Sequence, residues 1–309
     1  MSLKAKTGHA ASLASQIRRL SAPAGGIVGV AAAHLPTGGR FEQNGDEPFP
    51  MASTFKIAVA GAVLRRVDDG LLSLDDMLDI EPEMRVGSDG IDAMLPYPGV
   101  SVSVRNLLEV ALTQSDNTAT DVLMEKVGGA PAVTAWLRSV GVTEQRVDRN
   151  TASLIRGFFA LPVERALHEP ERSADGLFDP GSQADLPNSW YDDDVRDTST
   201  PNAMLTLLSA INGGAALSES TTKLLIGIMT RCATGDRRLP GMLPPQTLVA
   251  HKTGTLGGTV NDVGIIFLPD ASRIALAVFV KKSAQPPALR ERAIAEIART
   301  IYDSYVLLD

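Results

Sequence analysis

The sequence predicts an α+β fold in which an antiparallel sheet, flanked by helices, is built from both ends of the chain around a helical middle. Two observations predict it. One apolar run lies near the start, at 27–34, and three more follow one another near the end, at 247–253, 261–268 and 273–280. Between them, apolar residues recur at helical rather than alternating spacing.

Taken in order, Leu13, Ile17 and Leu20 stand about one turn apart, so a helix opens the chain. Gly25-Gly26 precede the run at 27–34, and Thr37-Gly38-Gly39 follow it as a turn, which reads as a hairpin. From Ser53 onward, Ile57, Val59, Ala60, Val63, Leu64 and Val67 are apolar nearly all round, the pattern of a buried helix. Residues 70–150 alternate helical stretches, such as 107–112 and 120–124, with Gly and Pro punctuation. Gly257-Gly258 and Pro269-Asp270 separate the three late runs, so these pair antiparallel. A last helix carries Leu289, Ile294, Ile297 and Ile301 on one face. Residues 152–197 fit no clean period. They hold Pro162, Pro170, Pro180, Pro187 and the run Asp192-Asp193-Asp194, and read as a long irregular excursion of the kind that is usually functional.

The 309 residues suffice for one large domain or two interleaved ones. A net charge of −7, with no Lys/Arg-rich run, leaves no footprint for nucleic acid. No stretch reaches the roughly 18 apolar residues of a membrane span. The sole cysteine, Cys232, excludes an internal disulfide, a weak pointer to a reducing compartment. Met1-Ser2-Leu3-Lys4 leads into polar residues without the apolar core of a signal peptide. His9, His34, His168 and His251 stand singly, so no metal site and no cofactor are expected.

Three short motifs carry chemistry. Ser53-Thr54-Phe55-Lys56 sets a hydroxyl and an amine one helical turn apart. A serine needs a neighbouring base to become a nucleophile, and a buried lysine amine can be that base. Alone, such a pair is most often an N-cap serine with a surface lysine; here the apolar flank argues for a buried Lys56. Ser115-Asp116-Asn117 offers a hydroxyl able to relay a proton and an amide able to hold a substrate carbonyl, although the tripeptide is also a common turn. His251-Lys252-Thr253-Gly254-Thr255 ends a strand. Its glycine lets a ligand approach the strand edge, and its lysine and threonines suit a carboxylate.

In this order the three motifs resemble the signature of class A β-lactamases and penicillin-binding proteins. The resemblance extends to the nucleophile segment 49–56, to Arg146-Val147-Asp148-Arg149 at the opening of the family's Ω loop, to Arg196-Asp197-Thr198-Ser199-Thr200-Pro201 at its end, and to Thr234-Gly235-Asp236-Arg237-Arg238-Leu239. It covers nearly all the chain except about 156–193. It implies that Ser53 attacks a lactam carbonyl, that Lys56 helps remove its proton and that Ser115 protonates the lactam nitrogen. Asn117 would orient the substrate amide. Lys252, Thr253, Gly254 and Thr255 would form the carboxylate-binding edge, with Arg238 as added charge, and the backbone N–H groups of Ser53 and Thr255 would make the oxyanion hole. Arg149 and Asp197 would pair across the neck of the loop. The resemblance further implies an α/β/α sheet domain from 1–48 and 202–309, and an all-helical domain from 49–201 with an extended loop at about 149–197. A monomer acting on a β-lactam or a peptidoglycan-like substrate, in the periplasm or outside the cell, completes the expectation, with the cytoplasm as the alternative.

The chain departs from the family in one place. Asp148-Arg149-Asn150-Thr151-Ala152-Ser153-Leu154-Ile155 puts Thr151 where the family has the glutamate that activates the deacylating water, and Ile155 where it has an asparagine. Acylation machinery is thus complete while the usual release machinery is missing, and slow deacylation is expected. Glu164, Glu169, Glu171, Asp175 or the aspartate run could supply a substitute base. The competing readings are a penicillin-binding, peptidase- or esterase-like hydrolase, and a non-catalytic β-lactam sensor.

Overall fold

The structure, a computed structural model, describes residues 3–87, 90–160 and 185–306. Helix α1 (Leu3–Ser21) leads into β1 (Ile27–His34) and β2 (Arg40–Gln43), the expected hairpin. A two-residue strand, β3 (Phe49–Pro50), precedes a 3₁₀ turn (Ala52–Phe55) and the buried helix α2 (Lys56–Asp68). Then come β4 (Met77–Ile80), α3 (Ile91–Met94), β5 (Val100–Ser103), α4 (Val104–Thr113), α5 (Asn117–Lys126) and α6 (Gly129–Ser139). Helices α7 (Thr151–Ala160) and α8 (Ser189–Asp192) lie within the stretch read as irregular. That expectation is corrected at both ends: Leu154 and Phe158 of α7 bury against Tyr191 of α8, giving this region a small core of its own. Strand β6 (Thr198–Ser199) pairs with β3. Helices α9 (Pro201–Asn212) and α10 (Glu219–Met229), strands β7 (Val249–Leu256), β8 (Thr259–Phe267) and β9 (Arg273–Lys281), and α11 (Pro287–Val306) follow.

The main sheet runs β2-β1-β9-β8-β7, antiparallel throughout, so the first and last strands of the chain meet at its centre. Side chains alternate across it, as the pleat requires. Val28, Val30 and Ala32 join Ile17, Ile294 and Ile297 of α1 and α11 on one face. Ala31, Ala33, Ala277 and Phe279 join the core shared with α2, α4, α5, α9 and α10 on the other. Because helices cover both faces, the strands read as continuous apolar runs. Leu289, expected on the apolar face of α11, is instead 38% exposed, in the first turn of that helix. Among the described residues no helix is long and apolar enough to cross a membrane.

Candidate active site

The three motifs converge where the 3₁₀ turn, the α4–α5 connection and β7 meet. Ser53 sits in the 3₁₀ turn, one residue after Ala52, whose φ of 45° is left-handed. Backbone strain of this kind persists only where surrounding structure enforces it. Asn261 on β8 supplies the enforcement: its buried Nδ2 donates to the carbonyls of Pro50 (2.9 Å) and Met51 (3.1 Å). From the other side, the Met51 N–H donates to Asp197 O at 3.0 Å. Gly254 of β7 is required by the same packing. A Cβ there would lie 2.5 Å from Met51 O and 3.1 Å from the Ser53 nitrogen, so only glycine lets the strand edge reach the Ser53 turn.

Lys56 opens α2 and is 1% exposed. Its Nζ donates to Ser115 O (2.6 Å) and Asn117 Oδ1 (2.7 Å), with longer contacts to Asp116 O (3.3 Å) and Ser115 Oγ (3.4 Å). Burial, and then the Lys252 ammonium, hold its pKa well below that of a free lysine. Lys252, also buried, donates to Ser115 Oγ at 2.9 Å and to Thr253 O at 3.0 Å, and burial pushes its pKa down to about 8. The Ser115 hydroxyl therefore bridges two lysines, the arrangement a proton relay needs. Ser115 holds this place with a φ of 60°. The turn is pinned by Asp116, the N-cap of α5, which accepts from the Ala119 and Ile91 N–H groups, both at 2.7 Å.

On β7, Thr253 Oγ1 lies 2.6 Å from Thr234 Oγ1, while the exposed Thr255 accepts from Arg238 Nη2 at 2.8 Å. The rest of the Arg238 guanidinium is spent on Asn261 O (3.0 Å), Gly254 O (3.3 Å) and Glu291 (3.1 Å). Its charge thus reaches the strand edge from behind, through the Thr255 hydroxyl. Beneath lies a buried pair that sequence reasoning missed: His251 Nδ1 sits 2.9 Å from Asp262 Oδ1. Burial opposes charge on His251, but the Asp262 carboxylate outweighs it and lifts the pKa to about 10. Thr234 was missed as a contact because its stretch was read only for its arginine. Asn261 was missed because nothing in a strand's sequence marks a bracing amide. Among the described residues no three His, Cys, Asp or Glu side chains gather as a metal cage.

The loop neck is closed by charge. Arg149 Nε lies 2.5 Å from Asp197 Oδ2, and the same carboxylate accepts from the Asp148 N–H (2.7 Å) and the Arg149 N–H (3.0 Å). The guanidinium does not grip Asp197 with both prongs; its other end reaches Asp194 at 3.3 Å. Thr151 is buried at the first turn of α7. Ile155 packs against the small core of Leu154, Phe158 and Tyr191. Of the carboxylates considered as substitute bases, Asp192 is buried against Asn188 N (3.0 Å) and Asp194 is engaged by Arg196 (2.8 Å). Glu164, Glu169, Glu171 and Asp175 lie outside the described residues.

A family model described as the beta-lactamase enzyme family matches residues 12–305. This chain belongs to the β-lactamase family. It is 35% identical to the extended-spectrum β-lactamase PER-1 of Pseudomonas aeruginosa, over 83% of this chain and 75% of that one. It is 29% identical to β-lactamase VEB-1 of the same organism, over 85% and 80%. Its fold matches a β-lactamase from Chitinophaga pinensis with a TM-score of 0.80 at 32% identity, covering 95% of this chain and 99% of that one. A reconstructed class A β-lactamase, the last common ancestor of those of Gram-negative bacteria, matches with a TM-score of 0.78 at 35% identity, over 95% and 99%. The chain is therefore a class A β-lactamase-type enzyme with an antiparallel sheet flanked by helices.

Proposed function

We propose that this β-lactamase-family enzyme hydrolyses β-lactams through an acyl-enzyme on Ser53, and that release of the acyl group is its slow step. The observation that supports the reading is the Lys56–Ser115–Lys252 cluster beside the nucleophile turn. Ser53 Oγ attacks the lactam carbonyl as Lys56, kept neutral more readily by burial, takes its proton. The Ser115 hydroxyl, bridging both lysines, delivers a proton to the lactam nitrogen as the C–N bond breaks. The backbone N–H groups of Ser53 and Thr255 face the developing oxyanion. Asn117 orients the substrate amide. Lys252, Thr253 and Thr255 take the substrate carboxylate along the edge that Gly254 leaves open, with Arg238 adding charge behind. Thr151, at the position of the family's glutamate, cannot activate water, so release lags.

The proposal divides the chain into a sheet domain of 1–48 and 202–309 and a helical domain of 49–201, the site lying where they meet. It takes the enzyme to be an exported monomer. The test is intact-protein mass after mixing with benzylpenicillin. Expected are an adduct that accumulates, a burst of ring opening followed by slow turnover, and no adduct on Ser53→Ala. An adduct that survives Ser53→Ala, or none on the unaltered protein with any β-lactam, refutes the assignment of Ser53.

A further inference from the structure

A buried amide on β8 ties the Ser53 turn to the strand edge beside it. Asn261 is fully buried. It faces Gly254 across the β7–β8 ladder, and residues directly opposite in a ladder point to the same side of the sheet. Gly254 has no side chain, so the turn fills the space above it: a Cβ there would meet Met51 O, Ser53 N and the Ala52 Cβ within 3.2 Å. The Asn261 amide reaches the same turn. Its nitrogen carries two hydrogens, and each has an acceptor, Pro50 O at 2.9 Å and Met51 O at 3.1 Å. Its oxygen accepts from Val280 N on β9 at 3.2 Å, and its backbone carbonyl accepts from Arg238 Nη1 at 3.0 Å. An ionised aspartate of the same shape offers acceptors alone, so this pattern calls for asparagine.

The two carbonyls stand immediately before the strained residue. A peptide unit is planar, so holding Met51 O orients the whole Met51–Ala52 unit. The Ala52 φ of 45° then sets the direction of the next unit, which carries the Ser53 N–H. Thr54 also donates to Met51 O, from its N–H at 3.2 Å and its hydroxyl at 2.8 Å, but these bonds lie within the turn and do not fix it relative to β7. The Thr255 N–H belongs to β7, which is laddered to the strand that carries Asn261. The placement of one N–H group against the other therefore runs through the Asn261 side chain.

We propose that Asn261 is the positioning residue of the oxyanion hole, setting the Ser53 N–H against the Thr255 N–H for acylation. This rests on the reading of Ser53 as nucleophile. Asn261 touches no substrate and moves no proton. It keeps Ala52 left-handed; without its bonds that strain relaxes and the Ser53 N–H turns away from the lactam oxygen. Donors aimed in advance at a developing oxyanion stabilise the transition state more than the bound substrate, so their displacement is felt in the chemical step rather than in binding. The carboxylate-binding edge is spared, because Arg238 bonds the Asn261 backbone, which every substitution retains.

The experiment is single-turnover acylation by benzylpenicillin over a range of concentrations, with the rate taken per site titrated by intact mass. Asn261→Ala is expected to lower the saturating rate by about 10²-fold, the cost of a displacement of about 1 Å at the reacting centre. The half-saturating concentration should move by less than about threefold, since ground-state binding is untouched. A role confined to stability would reduce the number of competent sites and leave the rate at each one unchanged. That result, or a loss carried by the half-saturating concentration alone, overturns the proposal. Asn261→Asp keeps the size of the side chain and the acceptor for Val280 N while losing at least one donation to the turn; it carries the same test if Asn261→Ala does not fold. In the acyl-enzyme of either variant the ester carbonyl stretch, read by infrared difference spectroscopy, should move to higher wavenumber as its hydrogen bonds lengthen. An unmoved band overturns the proposal whatever the rate. A failure to form any adduct on the unaltered protein is a different result and strikes the reading of Ser53.

Discussion

On the proposed reading, the two halves of the reaction are housed in regions built on different plans. The acylating side is a knot of buried polar groups drawn from α2, the α4–α5 turn and β7. There Lys56, Ser115 and Lys252 satisfy one another over distances of 2.6–3.4 Å. The releasing side is the start of α7, where Thr151 meets Asp121 through backbone N–H groups and Ile155 turns to an apolar cluster. In the first, each buried charge depends on its neighbours for its hydrogen bonds. The second is a helix end held by the Asp121 carboxylate, the Asn150 side chain and a small apolar core. On the proposed reading, the contrast teaches that the groups of the first half hold one another in place, whereas the second half has Thr151 where the family's glutamate would stand.

If the halves are separable, substitutions should fall on one or the other. The largest effect is expected at Lys56. Lys56→Ala should slow adduct formation on Ser53 by about 10²–10⁴-fold, the loss of a general base, measured by single-turnover ring opening. Unchanged acylation would mean that another group takes the serine proton.

Next comes the loop neck. Asp197→Ala strips a buried carboxylate from Arg149 and from two backbone N–H groups, and it leaves the guanidinium partly unpaired. A loss of roughly 3–5 kcal/mol is expected from the urea midpoint, as for other broken buried pairs. Because the Met51 N–H also bonds Asp197 O, the comparison is sharpened by asking which rate follows. That bond uses backbone atoms and survives the substitution, so release should suffer more than acylation. Equal losses would show that the halves are mechanically one.

The smallest effect is expected at Arg238, whose guanidinium is mostly engaged by the protein itself. Arg238→Ala should weaken kcat/KM for carboxylate-bearing β-lactams by roughly tenfold more than for neutral esters, the worth of about one charge-assisted hydrogen bond. Equal losses on both would mean that Arg238 only supports β7.

The grouping within each motif was legible in the sequence because the motifs are local. Ser53 and Lys56 share a turn, and Lys252 to Thr255 share a strand edge, so spacing alone sets their geometry. The antiparallel sheet was legible for a similar reason, since its apolar runs and turn residues are local signals. The contact between Asp121 and Thr151 was not. It joins positions 30 residues apart on helices whose mutual placement no periodicity encodes. Nor was α7: Ser153 and Gly157 interrupt a helix that packs against Tyr191, near the far end of the same excursion. Asn261 reads as an ordinary strand residue until the carbonyls of Pro50 and Met51 are seen beside it.

The pairing of β1 with β9 has a consequence in time. Ile27 faces Lys281, and His34 faces Ile274, so the central ladder joins segments about 250 residues apart, a separation that slows folding. On a ribosome adding about 5–20 residues each second, β1 waits some tens of seconds before its inner neighbour exists. Through that interval its run of valine and alanine has only the short β2 beside it, and one edge stands open to other chains. Whatever keeps that edge apart from its own kind until β9 emerges governs how much of the newly made chain becomes enzyme.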